Sequence, residues 1–149
     1  MVLGEALIET LDAVAAALAP AQHDWWIIAS AAVALHGADP GAIGDVDVLL
    51  DPRDAGVILA GLGLVAAPGA ADARFRSELF ARWTAPRLPV EFFTGFHLRE
   101  GGVWNEVRPL TRQAVDAGDA ALFVPERAEL KAMLLRFGRP KDLARSALL

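Results

Sequence analysis

Gly44-Asp45-Val46-Asp47-Val48-Leu49-Leu50 alternates acid with valine and then runs into leucine, the pattern of a strand with one buried face. Residues two apart on a strand share a face, so Asp45 and Asp47 project side by side while Val46 and Val48 pack behind them. Working upstream, residues 38–44 form a loop punctuated by Pro40, Gly41 and Gly44. Before it, residues 25–28 are a bulky apolar run that predicts a buried strand. Ser30, an N-cap residue type, then precedes a helix over 31–36 that Gly37 ends. Residues 2–18 place apolar side chains at helical spacing with acids near the start, and Pro20 closes that helix.

Downstream, Asp51 and Pro52 open a helix to about Leu62. A loop follows at 68–71. Residues 74–83 and 88–93 predict two strands joined by a turn around Pro86 and paired antiparallel; 103–107 and 122–124 predict further short strands. Pro125, at a helix N1 position, opens a C-terminal helical segment over about 125–149 that Gly138 and Pro140 divide. No repeat or linker interrupts the chain, so residues 1–149 are expected to form a single domain of the α/β (α+β) class, with a mixed sheet flanked by helices.

The chain has 149 residues, 54% of them hydrophobic, a formal net charge of −5 and no cysteine. Every apolar run is cut by a charge, Gly or Pro well before the ~20 residues that span a bilayer, so no membrane-spanning helix is expected. Glu5, Glu9 and Asp12 stand where a secretory signal carries positive charge. Lack of cysteine excludes disulfides, thiolate zinc sites and cysteine nucleophiles, and a cytoplasmic location fits. An acidic chain is not drawn broadly to a phosphate backbone, although a local basic patch could be.

Two adjacent carboxylates repel unless a cation sits between them. Mg²⁺ (or Mn²⁺) suits such a pair, because a hard ion prefers oxygen ligands and completes its shell with water and substrate phosphates. Glu91, between Val90 and Phe92 on a neighbouring strand, could join Asp45 and Asp47 by holding a second metal or by taking a proton from an attacking hydroxyl. It could equally be an acid on the solvent face of an antiparallel strand. The turn at Ala29-Ser30 would present backbone N–H groups to phosphate oxygens, with Ser30 serving as a cap or as a phosphate contact.

This ordered set (a small-residue/Ser turn opening a helix, an Asp-x-Asp strand, a later apolar-acid-apolar strand) resembles the nucleotidyltransferase superfamily related to DNA polymerase β. Within it the chain is similar to the minimal bacterial AbiEii type, through Ala29-Ser30 with His36, Ile43-Gly44-Asp45-Val46-Asp47, Lys131, and Arg139-Pro140-Lys141-Asp142-Leu143-Ala144-Arg145. It departs from that pattern where Ala29 replaces Gly, His36 replaces Arg, Ile43 replaces Thr and Arg145 replaces Asp. The resemblance implies transfer of a nucleoside monophosphate from an NTP to an acceptor hydroxyl with release of pyrophosphate. Asp45, Asp47 and Glu91 would be the catalytic and metal-binding acids, and Ala29, Ser30, Lys131 and Asp142 the nucleotide-binding positions. The acceptor implied is a tRNA, a protein or a small molecule. A toxin–antitoxin or phage-defence setting would add a cognate antitoxin or toxin protein as partner.

Plainer readings stand beside these. Lys131 and Asp142 could contact triphosphate or cap helices; Arg136 and Arg139 read as the solvated face of amphipathic helices. His36 reads as a helix C-terminal residue, and His23 and His97 have no partner at ligand spacing. Trp25, Trp26, Trp83 and Trp104 read as packing residues. The altered positions also leave room for a different class, a nucleotide-binding or regulatory module of the same fold that performs no transfer.

Overall fold

The structure, a computed structural model, describes residues 2–149. It begins with helix α1 (Glu5–Leu18), strand β1 (Trp26–Ile28), helix α2 (Ala29–Leu35), strand β2 (Val46–Leu49) and helix α3 (Pro52–Gly61). Strands β3 (Phe75–Arg76), β4 (Leu79–Trp83), β5 (Val90–Thr94), β6 (His97–Glu100), β7 (Val103–Glu106), β8 (Gln113–Ala117) and β9 (Ala120–Val124) follow. Helices α4 (Arg127–Phe137) and α5 (Pro140–Ser146) close the chain.

Helix α1 forms because Leu7, Leu11, Val14 and Leu18 fall on one stripe, and all four are buried against the core. Each such side chain contributes roughly 1.5–3 kcal/mol on burial. Thr10 on the same stripe satisfies its hydroxyl twice, donating to Ala6 O at 2.7 Å and accepting from Leu88 N at 3.0 Å. Its second bond ties α1 to the loop that feeds β5. Helix α3 starts as expected: Asp51 caps it by accepting from Arg53 N at 2.9 Å, with Pro52 in the first turn.

The central sheet has the order β1-β2-β5-β4. Strands β1 and β2 are antiparallel, β2 and β5 parallel, and β5 and β4 antiparallel. Ile27, Val48, Phe92 and Ala81 are register partners on one face and are almost wholly buried. The other face carries the row Ile28, Asp47, Glu91, Arg82. One face is therefore core and the other carries charge.

Residues 74–83 are two strands instead of the single expected one. β3 pairs with β6, whereas β4 pairs with β5, and the chain turns between them at Ser77 and Glu78. The turn packs onto Gly95, whose φ of +58° is open to glycine, and a Cβ there would lie 2.5 Å from Glu78 Cγ. β6 and β8 were not expected; in both the exposed and half-buried residues outnumber the buried ones, Leu98 in β6 and Ala117 in β8. Helix α2 begins at Ala29, two residues earlier than expected, and its N-cap position is Ile28, not Ser30. Pro125 likewise precedes the cap: Glu126 is the N-cap of α4, and the Pro125 carbonyl lies 2.8 Å from His36 Nε2. Gly138, with φ +70°, ends α4 in a left-handed turn and aims the chain into α5. Among the described residues no helix is long and apolar enough to cross a membrane.

Candidate active site

Register brings the acids together. Asp47 and Glu91 are direct partners on the parallel strands β2 and β5, and Asp45 precedes β2 on the same face as Asp47. One carboxylate oxygen from each of the three lies within 4.8 Å of the others. Asp47 is pushed up to about 7, first by burial and then by the charges of Asp45 and Glu91, against which Arg139 and Lys141 act. Glu91 is also raised, again first by burial and then by Asp45, with Arg82 opposing. The crowding of negative charge that adds to burial in these shifts is what a divalent cation relieves, and three carboxylates in reach of one another are the hard oxygen donors Mg²⁺ or Mn²⁺ takes. The residues fit such an ion.

The acids open onto a cavity of about 390 Å³, within the range of small-molecule sites. Ala29, Ser30 and Gly44 line it beside the acids, because Ile28 is the cross-strand partner of Asp47 and the turn into α2 begins there. Ala29 holds a φ of +59°, a left-handed conformation that costs a residue with a Cβ about 1–2 kcal/mol. This is the position where the related pattern has Gly. No side chain caps α2, and Ser30, buried within its first turn, makes no side-chain hydrogen bond among the described residues. The cap reading of Ser30 is corrected; its hydroxyl stands on the cavity wall.

To the same cavity α5 and the turn before it contribute Arg139, Lys141 and Arg145. Lys141 and Arg145 are four apart on one helix face, and among the described residues neither has a carboxylate within salt-bridge distance. Arg139 is committed: its Nε and Nη2 donate to Asp142 at 2.5 and 3.0 Å, and its guanidinium lies 4.8 Å from the Phe75 ring centroid. It is thus a half-buried wall residue, not part of a solvated face as expected. Phe75, Phe93, Phe96 and Phe137 form the remaining wall, with Phe75 stacked on Phe96 at 5.5 Å and edge-on to Phe137 at 5.2 Å. A second cavity of about 260 Å³ shares Phe75, Phe93 and Phe96 and continues toward Phe80 and Ser77.

Two expected nucleotide contacts lie elsewhere. Lys131 is on the exposed side of α4, its Nζ 3.4 Å from Leu149 O, and takes no part in the cavity wall. Asp142 is fully buried and caps α5, accepting from both the backbone and the guanidinium of Arg139. Its carboxylate is engaged by Arg139 and is not among the residues that line the cavity. His36 is the C-cap of α2, and His23 pairs with Asp54 at 3.0 Å, holding the start of β1 to α3. Trp25 and Trp26 are core residues; Trp104 lies under Arg76, 4.6 Å from its guanidinium. The aromatic wall, Lys141 and Arg145 were missed as site residues. The i, i+4 spacing of the two cations and their place in the Arg139–Arg145 motif carried the available signal.

No protein-family model matches the chain, and no curated protein does. Solved structures do. A Thermotoga maritima protein classed as a nucleotidyltransferase is 20% identical, with a TM-score of 0.76, over 93% of this chain and 88% of that one. The antibiotic-resistance factor ANT(2'')-Ia, in complex with adenylyl-2''-tobramycin, is 10% identical with a TM-score of 0.58 over 93% and 84%. An antigenic nucleotidyltransferase-like protein from Paracoccidioides brasiliensis is 14% identical with a TM-score of 0.57 over 97% and 73%. At these identities the likeness is one of architecture, and this chain has the nucleotidyltransferase-like fold.

Proposed function

We propose that the chain is a metal-dependent nucleotidyltransferase that moves an NMP group from an NTP to an acceptor hydroxyl. The observation that carries this reading is the meeting of Asp45, Asp47 and Glu91 within 4.8 Å, in a cavity also lined by Lys141 and Arg145, which among the described residues have no carboxylate within salt-bridge distance. Acids that can hold a metal beside cations that can meet phosphate oxygens suit a metal-bound polyphosphate.

In this reading Asp45 and Asp47 hold the Mg²⁺ or Mn²⁺ ion, which when bound neutralises charge on the phosphates and on the departing pyrophosphate. Lys141 and Arg145 orient the outer phosphates, and Ser30 with the uncapped first turn of α2 donates to them from the other side. Glu91 accepts the acceptor's hydroxyl proton. The acceptor oxygen bonds to the α-phosphorus as the bond from that phosphorus to the β-phosphate bridging oxygen breaks, and pyrophosphate leaves. The aromatic wall takes the nucleobase, and the adjoining 260 Å³ cavity gives an acceptor room beyond it. Which acceptor, tRNA, protein or small molecule, is a matter for assay. A cytoplasmic toxin–antitoxin or phage-defence setting, with a cognate protein partner, follows from the motif resemblance to the AbiEii type and extends the proposal.

Asp45→Ala and Asp47→Ala are expected to fold and to lower incorporation of label from an α-labelled NTP by roughly 10³-fold. Undiminished incorporation in both variants refutes the assignment. The methyl of Ala29, set at φ +59° where phosphate would approach, favours one rival: a nucleotide-binding module that performs no transfer. Tight Mg²⁺–NTP binding by calorimetry, with no turnover on candidate acceptors, would select it.

A further inference from the structure

The chain has 14 lysines and arginines. Most of them are committed to a carboxylate or a backbone carbonyl. Lys141, Arg145, Arg76 and Arg99 have no such partner among the described residues, and they are not scattered. Lys141 and Arg145 line the cavity that holds the acids. Arg76 lines the second cavity, which shares Phe75, Phe93 and Phe96 with the first. On the β3-β6-β7 sheet Arg76 pairs with His97, two residues from Arg99 and so on its face, and Arg99 pairs with Trp104. Trp104 holds the two arginines. Their guanidinium carbons lie 4.6 and 6.0 Å from its ring centroid, and a guanidinium already settled against a ring loses less freedom when its N–H edge meets an anion. Glu106, an acid on the same face, is within salt-bridge distance of neither. The acid of the second cavity is spent as well: Asp72 accepts from Arg74 N and Phe75 N, both at 2.7 Å. What remains is an aromatic hollow, lined by Phe75, Phe80, Phe93 and Phe96, with the uncommitted Arg76 in its wall. Rings beside free guanidiniums suit a base followed by phosphates. A phosphorylated peptide would bring the charge without a ring for the hollow.

We propose that the acceptor is a single-stranded polynucleotide, its terminal base set against the phenylalanines of the second cavity and its next phosphates on Arg76 and Arg99. The hydroxyl oxygen of the terminal sugar then bonds to the α-phosphorus of the NTP as pyrophosphate leaves, and its proton passes to Glu91. The inference rests on the nucleotidyltransferase reading above and gives its acceptor a chemical class.

Fluorescein-labelled single-stranded RNA and DNA of mixed sequence, each about twelve nucleotides long, titrated with the full chain in Mg²⁺ and followed by anisotropy, test it. Wild type is expected to bind at least one strand with an affinity that falls as salt rises. R76Q/R99Q should bind that strand about tenfold more weakly, with a log–log salt slope shallower by about 1.4, the counterions of two phosphates. R76K/R99K, which restores the charges, should recover the slope. Calorimetry of Mg²⁺–ATP should give the same affinity in wild type and R76Q/R99Q. Circular dichroism melting checks the fold, and R99Q alone, with an expected slope loss of about 0.7, serves should the double variant not fold. Equal strand binding in wild type and the charge-removing variant overturns the polynucleotide acceptor, as does a wild type that binds Mg²⁺–ATP and neither strand. A wild type that does not bind Mg²⁺–ATP overturns the nucleotidyltransferase reading itself, a separate result.

Discussion

Asp47 and Glu91 stand on β2 and β5, interior strands hydrogen-bonded on both sides, with Asp45 just before β2, whereas the cations Lys141 and Arg145 that line the same cavity stand on α5, a seven-residue helix. Strand register alone places Asp47 beside Glu91, and buried Val46, Val48, Val90 and Phe92 hold that register from behind. Helix α5 has no such lattice. It is fixed at its start by the Arg139–Asp142 pair and by Arg139 lying over Phe75, with Ser146 as its other buried residue. The contrast is that the acids are positioned by the register of a central sheet, whereas the cations are positioned by a short helix with two buried residues.

The largest effect expected from breaking this contrast comes at the buried acid that fixes the start of α5. Asp142→Ala strands the Arg139 guanidinium and removes the cap of α5, and should cost about 3 kcal/mol in urea unfolding. A loss well under 1 kcal/mol would show that α5 is held by something else. A smaller and more selective effect is expected at the free cations. Lys141→Ala and Arg145→Ala should each raise KM for NTP about tenfold, the loss of one charge-assisted contact worth about 1.4 kcal/mol, with little change in melting temperature. Unchanged KM in both would move the phosphates to another wall.

The same contrast explains what could be seen in the sequence. Asp45-Val46-Asp47-Val48 and Val90-Glu91-Phe92 were legible because a strand with one buried face writes its geometry as alternation, and a shared register then aligns the acids. The helices α1 and α3 were legible through their stripes and caps. Lys131 was misplaced because a motif position on a helix fixes a residue's face only when the helix's packing is known, and the exposed side of α4 carries it to Leu149. Arg139 and Asp142 form a clamp three residues apart, yet nothing local distinguishes an acid that caps from one that meets a ligand. The strands β6 and β8 went unseen because each buries a single side chain, Leu98 and Ala117, and so writes no apolar alternation of its own. The aromatic wall is assembled from Phe75, Phe93, Phe96 and Phe137, residues on separate elements that only the folded chain brings into contact.

Asp47 links the acid cluster to pH. Its carboxyl titrates at about 7 in the fold and near 4 in an unfolded chain, so between those values the native state holds more protons and loses stability as pH rises. A cation that binds the ionised form reverses the loss and expels the proton. Calorimetry of Mn²⁺ binding at about pH 6 and about pH 8, in two buffers of different ionisation heat, measures both effects together. Binding that weakens below neutral pH, releases a proton near neutrality and loses that release in Asp47→Asn is the predicted result. Affinity independent of pH, with no proton released and no change in Asp47→Asn, would mean that the three acids are not a metal site.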